Sequence, residues 1–267
     1  MYNKHRKRII YIKMKKPQNM ILLAVLVVLS AFPAKIYSQS NNSKKEAEME
    51  TQQVFIDKFF VPKNAKQEFD ERANINRNFI KKIPGFIEDN VYERVDEQGN
   101  FIVITTAIWK NADAIKKAKE AVQDEYKKEG FDMQGMLKRL NIIIDRGIYK
   151  RETSAVTQKI DTSMLILIDK VFVPASAIKE FNERWNLSRN FIKKQPGFIE
   201  DIAYQRTDEN NNVSYITFVV WKNKDAFNTA MLAVQAEYKR EGFDMQAMLK
   251  RTKITIDRGG IFKKETK

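Results

Sequence analysis

Residues 101–109 are apolar or small on both sets of alternating positions. Phe101, Val103, Thr105, Ala107 and Trp109 form one set, and Ile102, Ile104, Thr106 and Ile108 the other. Alternation predicts a strand, and apolar character on both sides predicts a sheet buried on both faces. Residues 54–61 and 165–173 are β-branched and aromatic, end at Pro62 and Pro174, and also read as strands. Helical spacing follows each of them. Phe69, Ala73, Asn76 and Ile80 share one side of a helix over residues 64–82, as do Phe181, Trp185, Ser188 and Ile192 over residues 176–194. Pro84-Gly85 and Pro196-Gly197 stop these helices. Strands over 86–95 and 101–109 then flank the turn DEQGN, a hairpin signal that DENNN repeats later. A long helix over 111–129, a short one over 131–138 and a strand over 140–146 complete the unit.

The pattern is stated twice. Residues 54–147 align with 166–259 without a gap, and roughly six positions in ten are identical. NFIKKIPGFIED begins at Asn78 and NFIKKQPGFIED at Asn190; FVP, WKN, EGFDMQ and IDRG also recur. A unit of about 95 residues is too long for a solenoid repeat and has the size of a small domain. Its order, βαββαβ, is ferredoxin-like. The helices of such a unit cover one sheet face only, so the second apolar face needs another sheet, which the second copy supplies. The expected fold is α+β: two tandem ferredoxin-like units closing an intrachain pseudo-dimeric α/β barrel. The expected divisions are a signal peptide over 1–38, a polar linker over 39–53, a first unit over 54–147, a linker over 148–163 and a second unit over 164–262. A chain that holds both halves is expected to be a monomer.

Composition narrows the function. The chain has 267 residues, 43% apolar and 31% charged, which suits a protein with its own core and argues against a membrane protein. With no cysteine, a disulfide framework, a thiolate metal site and a cysteine nucleophile are excluded. The net charge of +14 is concentrated at the start: residues 1–38 hold eight Lys/Arg and no acid, and the remainder has 40 basic against 34 acidic residues, a net of +6. Nucleic-acid binding is not read from so mild an excess. Basic residues precede the 13-residue apolar run 20–32, and Pro33 and the small Ser38 follow it. That run is short of the roughly 20 residues a transmembrane helix needs but suits a secretion signal. Export to the periplasm or outside the cell is therefore expected, with no stable membrane anchor after processing; an uncleaved anchor is the alternative. Met14 begins a more usual signal than Met1.

The strand ending FVP, the helix leading into KKIPGFIED or KKQPGFIED, and the strand-to-helix passages AIWKNADAI and VVWKNKDAF carry a resemblance. Each unit resembles an antibiotic biosynthesis monooxygenase domain of the dimeric α/β-barrel superfamily. The resemblance covers nearly all of the chain after the signal. It implies the fold directly and the reaction only in outline, because one fold hosts many activities. In catalytic members of that family a Trp at the position of Trp109 and Trp221 lines the pocket. Its indole N–H donates to a substrate oxygen while the ring packs on an aromatic face; a core Trp is the plainer role. Haem-degrading relatives carry an Asn at the position of Asp57 and Asp169 and an axial His on the second helix. This chain has Asp at the first place and no His at the second. Its one histidine, His5, lies in the expected signal, so no cofactor or metal is expected.

Read from the residues themselves, Asp57 and Asp169 are carboxyls in otherwise apolar strands. Desolvation would raise their pKa and poise them as bases, while a Lys or Arg partner would make them structural. Arg77 with Asn78, and Arg189 with Asn190, stand near the end of the first helix and would stabilise an anionic oxygen or simply face solvent. Tyr92 and Tyr204 would bond a ligand or sit buried and satisfied. The sequence thus supports an exported, cofactor-independent oxygenase whose partners are molecular oxygen and a small electron-rich aromatic or quinol. A non-catalytic binding protein for an apolar small molecule is the alternative.

Overall fold

The computed structural model describes residues 51–152, 160 and 163–265. The expected signal, most of the polar stretch over 39–53, and residues 153–159 and 161–162 of the expected linker lie outside the described residues. The first repeat comprises β1 (Gln53–Val61), α1 (Lys66–Ile80), β2 (Phe86–Val95), β3 (Phe101–Trp109), α2 (Ala112–Glu129), α3 (Met133–Arg139) and β4 (Ile143–Arg151). The second comprises β5 (Leu165–Val173), α4 (Ile178–Ile192), β6 (Phe198–Thr207), β7 (Val213–Trp221), α5 (Lys224–Glu241), α6 (Met245–Thr252) and β8 (Thr255–Lys264). The strands form a closed antiparallel barrel in the order β1-β3-β2-β8-β5-β7-β6-β4.

The recurring motifs are local punctuation. Asn111 and Asn223 of the WKN motifs cap α2 and α5, each side-chain oxygen accepting from a backbone N–H three residues on at 2.9 Å. Gly130 and Gly242 end those helices in the left-handed conformation. Asp132 and Asp244 then cap α3 and α6. In each hairpin an Asp closes the turn: Asp96 accepts from the backbone of Gln98 and Asn100, and Asp208 from that of Asn210 and Asn212. Gly85 of the first PG turn has φ +89°, and a Cβ there would lie 2.6 Å from the Ala114 methyl. Only glycine suits both the backbone and that close approach.

The two-sided apolar strands are buried as the alternation predicts. Val54, Ile56, Ile104 and Ile108 meet Ile166, Ile168, Ile216 and Val220 inside the barrel. The opposite faces pack under the helices, with Phe59, Phe69 and Val103 in one cluster of the first repeat and Val171 and Tyr215 in one of the second. Burial of both faces follows from closure, which also leaves no free sheet edge among the described residues.

The last strand of each repeat differs from the sequence expectation. The last strand of the first repeat begins at Ile143, not 140, and runs to Arg151, so residues 148–151 are strand rather than linker. The last strand of the second repeat continues to Lys264, past residue 262. These extensions make the seams: Lys150 and Arg151 pair with Gln205 and Tyr204, and Lys263 and Lys264 pair with Glu93 and Tyr92. The polar lysines and arginines there read as linker because their neighbours across the seam belong to the other repeat. Ion pairs also cross reciprocally, Lys58 to Asp257 and Lys170 to Asp145, each at 2.5 Å. This is the self-complementary pattern of a two-fold interface, here formed within one chain.

Candidate functional site

A cavity of about 620 Å³ lies in the first repeat between the outer face of its sheet and helices α1, α2 and α3. Ligand sites fall in the range of roughly 300–1,000 Å³. Phe55, Phe59 and Ala107 line it from the strands, Phe69, Ala73 and Ile80 from α1, and Ile115, Ala118 and Val122 from α2. Among these apolar groups stand Asp57, Arg77, Trp109, Asn76, Gln123, Tyr126 and Arg146.

Asp57 points into the cavity from β1, and Arg146 reaches it from the neighbouring β4. The guanidinium donates from Nε to Oδ1 at 2.7 Å and from Nη2 to Oδ2 at 2.8 Å. Burial pushes the Asp57 carboxyl above its ordinary value; the hydrogen bonds and charge of Arg146 oppose this, and nearby Asp145 adds to it. Asp169 is paired with Arg258 through one hydrogen bond only, Nη1 to Oδ2 at 2.9 Å, and burial raises its pKa too, against the pull of Arg258. The carboxylates are therefore both desolvated and paired.

Trp109 closes the end of β3, buried, with its ring edge-on to Phe86 at 5.4 Å between centroids. It lines the cavity as well as the core. Its twin Trp221 packs against Phe198 and Phe227, and its indole nitrogen is buried without a hydrogen-bond partner among the described residues. Arg77 lines the cavity and is held by Asp89, to which Lys81 also reaches at 3.5 Å. Arg189 is held by Asp201 with Lys193 in the same way.

The cavity thus brings together Asp57, Arg77 and Trp109. It does not bring in Asn78, which is exposed on α1, as is Asn190 on α4. Tyr92 and Tyr204 are buried inside the barrel, on the other side of the sheet, with ring centroids 5.0 and 5.7 Å from that of Phe218. Burial pushes the Tyr204 phenol up to about 12 and that of Tyr92 higher still, so both stay neutral core groups. The structure thus places these four residues away from the cavity, the two asparagines facing solvent and the two tyrosines in the core. Sequence reasoning missed Arg146 and Tyr126. IDRG in both copies was the available signal for Arg146, since the ferredoxin-like order sets the first and last strands side by side. Burial keeps the Tyr126 phenol above its ordinary value, a neutral donor at the cavity. Among the described residues, no group of three or more His, Cys, Asp or Glu is placed to hold a metal ion.

The second repeat carries bulkier side chains at the equivalent positions. Trp185 stands where the first repeat has Ala73, Tyr215 where it has Val103, and Phe227 where it has Ile115. The Trp185 ring lies 4.9 Å from Phe181 and 4.3 Å from Tyr215.

No protein-family model matches the chain, and no curated protein matches it in sequence. Solved structures do match in shape. A candidate monooxygenase from Fusobacterium nucleatum is 13% identical, covers 81% of this chain and 95% of its own, and superposes with a TM-score of 0.50. An anthrone oxidase-like protein is 11% identical, covers 80% and 92%, and also scores 0.50. A candidate monooxygenase from Lactobacillus acidophilus is 14% identical over 81% and 95%, at 0.48. The fold is that of the dimeric α/β barrels, built here from tandem units. At these identities the likeness reaches the fold and stops there.

Proposed function

We propose that the first-repeat cavity takes a small electron-rich aromatic or quinol and that the chain oxygenates it without a cofactor. The observation that carries this reading is a single apolar chamber in which a desolvated carboxyl, a buried indole and a clamped guanidinium converge. Two proteins of the same fold bear the names candidate monooxygenase and anthrone oxidase-like, which agrees with it. Asp57 would take a proton from the substrate, leaving an electron-rich anion. That anion passes one electron to oxygen, and the resulting radical and superoxide join through a new C–O bond. The O–O bond then breaks as a second substrate hydrogen leaves as a proton to the outer oxygen, and the departing hydroxide takes back the proton held by Asp57, giving a carbonyl, one water and the free carboxylate. Four electrons come from the substrate and oxygen accepts all four. Trp109 would donate to the substrate oxygen, and Arg77 would steady its charge. We propose further that the protein is exported and works as a monomer.

A panel of quinols and anthrones, incubated with the purified chain under an oxygen electrode, tests the reading. Uptake should occur with at least one of them and fall at least about a hundredfold in Asp57→Asn, the scale of a lost general base. No uptake with any member, or uptake unchanged in the variant, counts against it. One feature favours a second reading, a non-catalytic binding protein: both Asp57 oxygens are already engaged by Arg146. Binding of the same compounds with no oxygen consumed would support that.

A further inference from the structure

The two repeats share the ion pairs that hold their helices and differ in bulk on the face where a ligand would sit. Arg72 reaches Glu129 at 2.6 Å and lies 3.8 Å over Phe131; Arg184 reaches Glu241 at 2.6 Å and lies 3.9 Å over Phe243. The clamp of Arg77 by Asp89 has its match in Arg189 and Asp201. Against this symmetry, Ala73 faces an open chamber, whereas Trp185 fills the same place. Trp185 is packed edge-on to Tyr215, tilted against Phe181, and covered by the Arg189 guanidinium 5.3 Å from its ring. A cation over an indole face is an attractive contact.

We infer that Trp185 is a built-in occupant of the second site, so that the chain has one ligand site, in which the ligand's ring takes the place over Ala73 that Trp185 marks and lies under Arg77. Ala73 is then the position that decides whether a repeat binds, and Arg77 a binding residue acting through the ring face. The inference rests on the reading of the first-repeat cavity as a ligand site. It does not depend on oxygen chemistry.

Titration calorimetry of the purified chain with 2-naphthol, a planar two-ring probe, tests it. One equivalent per chain is expected, and two equivalents, or none, overturn it. Decahydro-2-naphthol, the saturated counterpart, should bind about tenfold more weakly because it offers no ring face to Arg77; equal affinity overturns the role of Arg77. Ala73→Trp should weaken 2-naphthol at least tenfold while the circular dichroism spectrum stays native, and unchanged affinity overturns the inference. If that variant does not fold, stoichiometry and the paired probes on the natural chain decide alone. Oxygen uptake measured alongside separates the two proposals. One-equivalent binding without uptake by any quinol removes the oxygenase reading alone, whereas uptake that survives Ala73→Trp removes this inference alone.

Discussion

At the level of single residues, the Asp57–Arg146 pair sets a balance that pH can read. Burial outweighs the guanidinium, so the native carboxyl titrates above the ordinary aspartate value of 3.8. A group with a raised native pKa stabilises the fold fully below its unfolded pKa, and that contribution is lost as pH rises through the native pKa. Asp57→Asn removes this titration and keeps the side-chain shape. The stability of the natural chain relative to the variant should therefore decline as pH rises above about 4, which urea unfolding at a series of pH values would measure. A relative stability that climbs with pH would mean that Arg146 dominates. The carboxyl itself was visible in the sequence, because a charge in VFIDKFFV breaks an apolar run. Its partner lies 89 positions away, and only the pairing of β1 with β4 joins them.

Among the elements, turns and caps were easy to read and side-chain direction was not. The PG turns show this well. Gly85→Ala would force an L side chain to φ +89° and into the Ala114 methyl, so a loss of about 1–3 kcal/mol or more is expected in chemical unfolding. A loss under half of that would mean that α2 shifts freely away from the turn. Strand and helix existence followed from alternation and helical spacing because those periods are properties of the elements themselves. At two places the sequence left direction open, and the structure gives the reason for the outcome. Asn78 follows Arg77 immediately, and one residue is about 100° of helix rotation, so neighbours in sequence look different ways. Tyr92 lies beyond an irregularity between Phe86 and Glu88 that interrupts strict alternation. Counting by twos from Phe86 would place Tyr92 on the cavity side; the extra residue sends it into the barrel. The cavity was partly legible too, since Ala73 against Trp185 is a difference in bulk on a face with helical spacing. The opposing change from Val103 to Tyr215 gains meaning only once the helix is seen above that strand.

Across the whole molecule, the barrel interior is packed asymmetrically by the two halves. Phe218 sits inside the barrel between Tyr92 and Tyr204, and the same position in the first repeat is Thr106, also buried. A dimer of two first repeats would set Thr106 against the tyrosines and forfeit those ring contacts, and large-to-small losses of this kind cost about 3–5 kcal/mol. Residues 41–151 expressed alone should therefore be insoluble or form a dimer that melts below the full chain. The full chain should sediment as a monomer. A stable monomeric fragment would show that the barrel face does not need its partner. The continuous path from one repeat to the other has a consequence for heredity. In a homodimer one codon supplies both subunits, so any change that closes a site closes it twice and abolishes whatever that site did. With both halves encoded in tandem, a codon for Trp can arise at 185 while the codon for Ala at 73 stands. One half is then free to drift toward rigidity as long as the other keeps its opening.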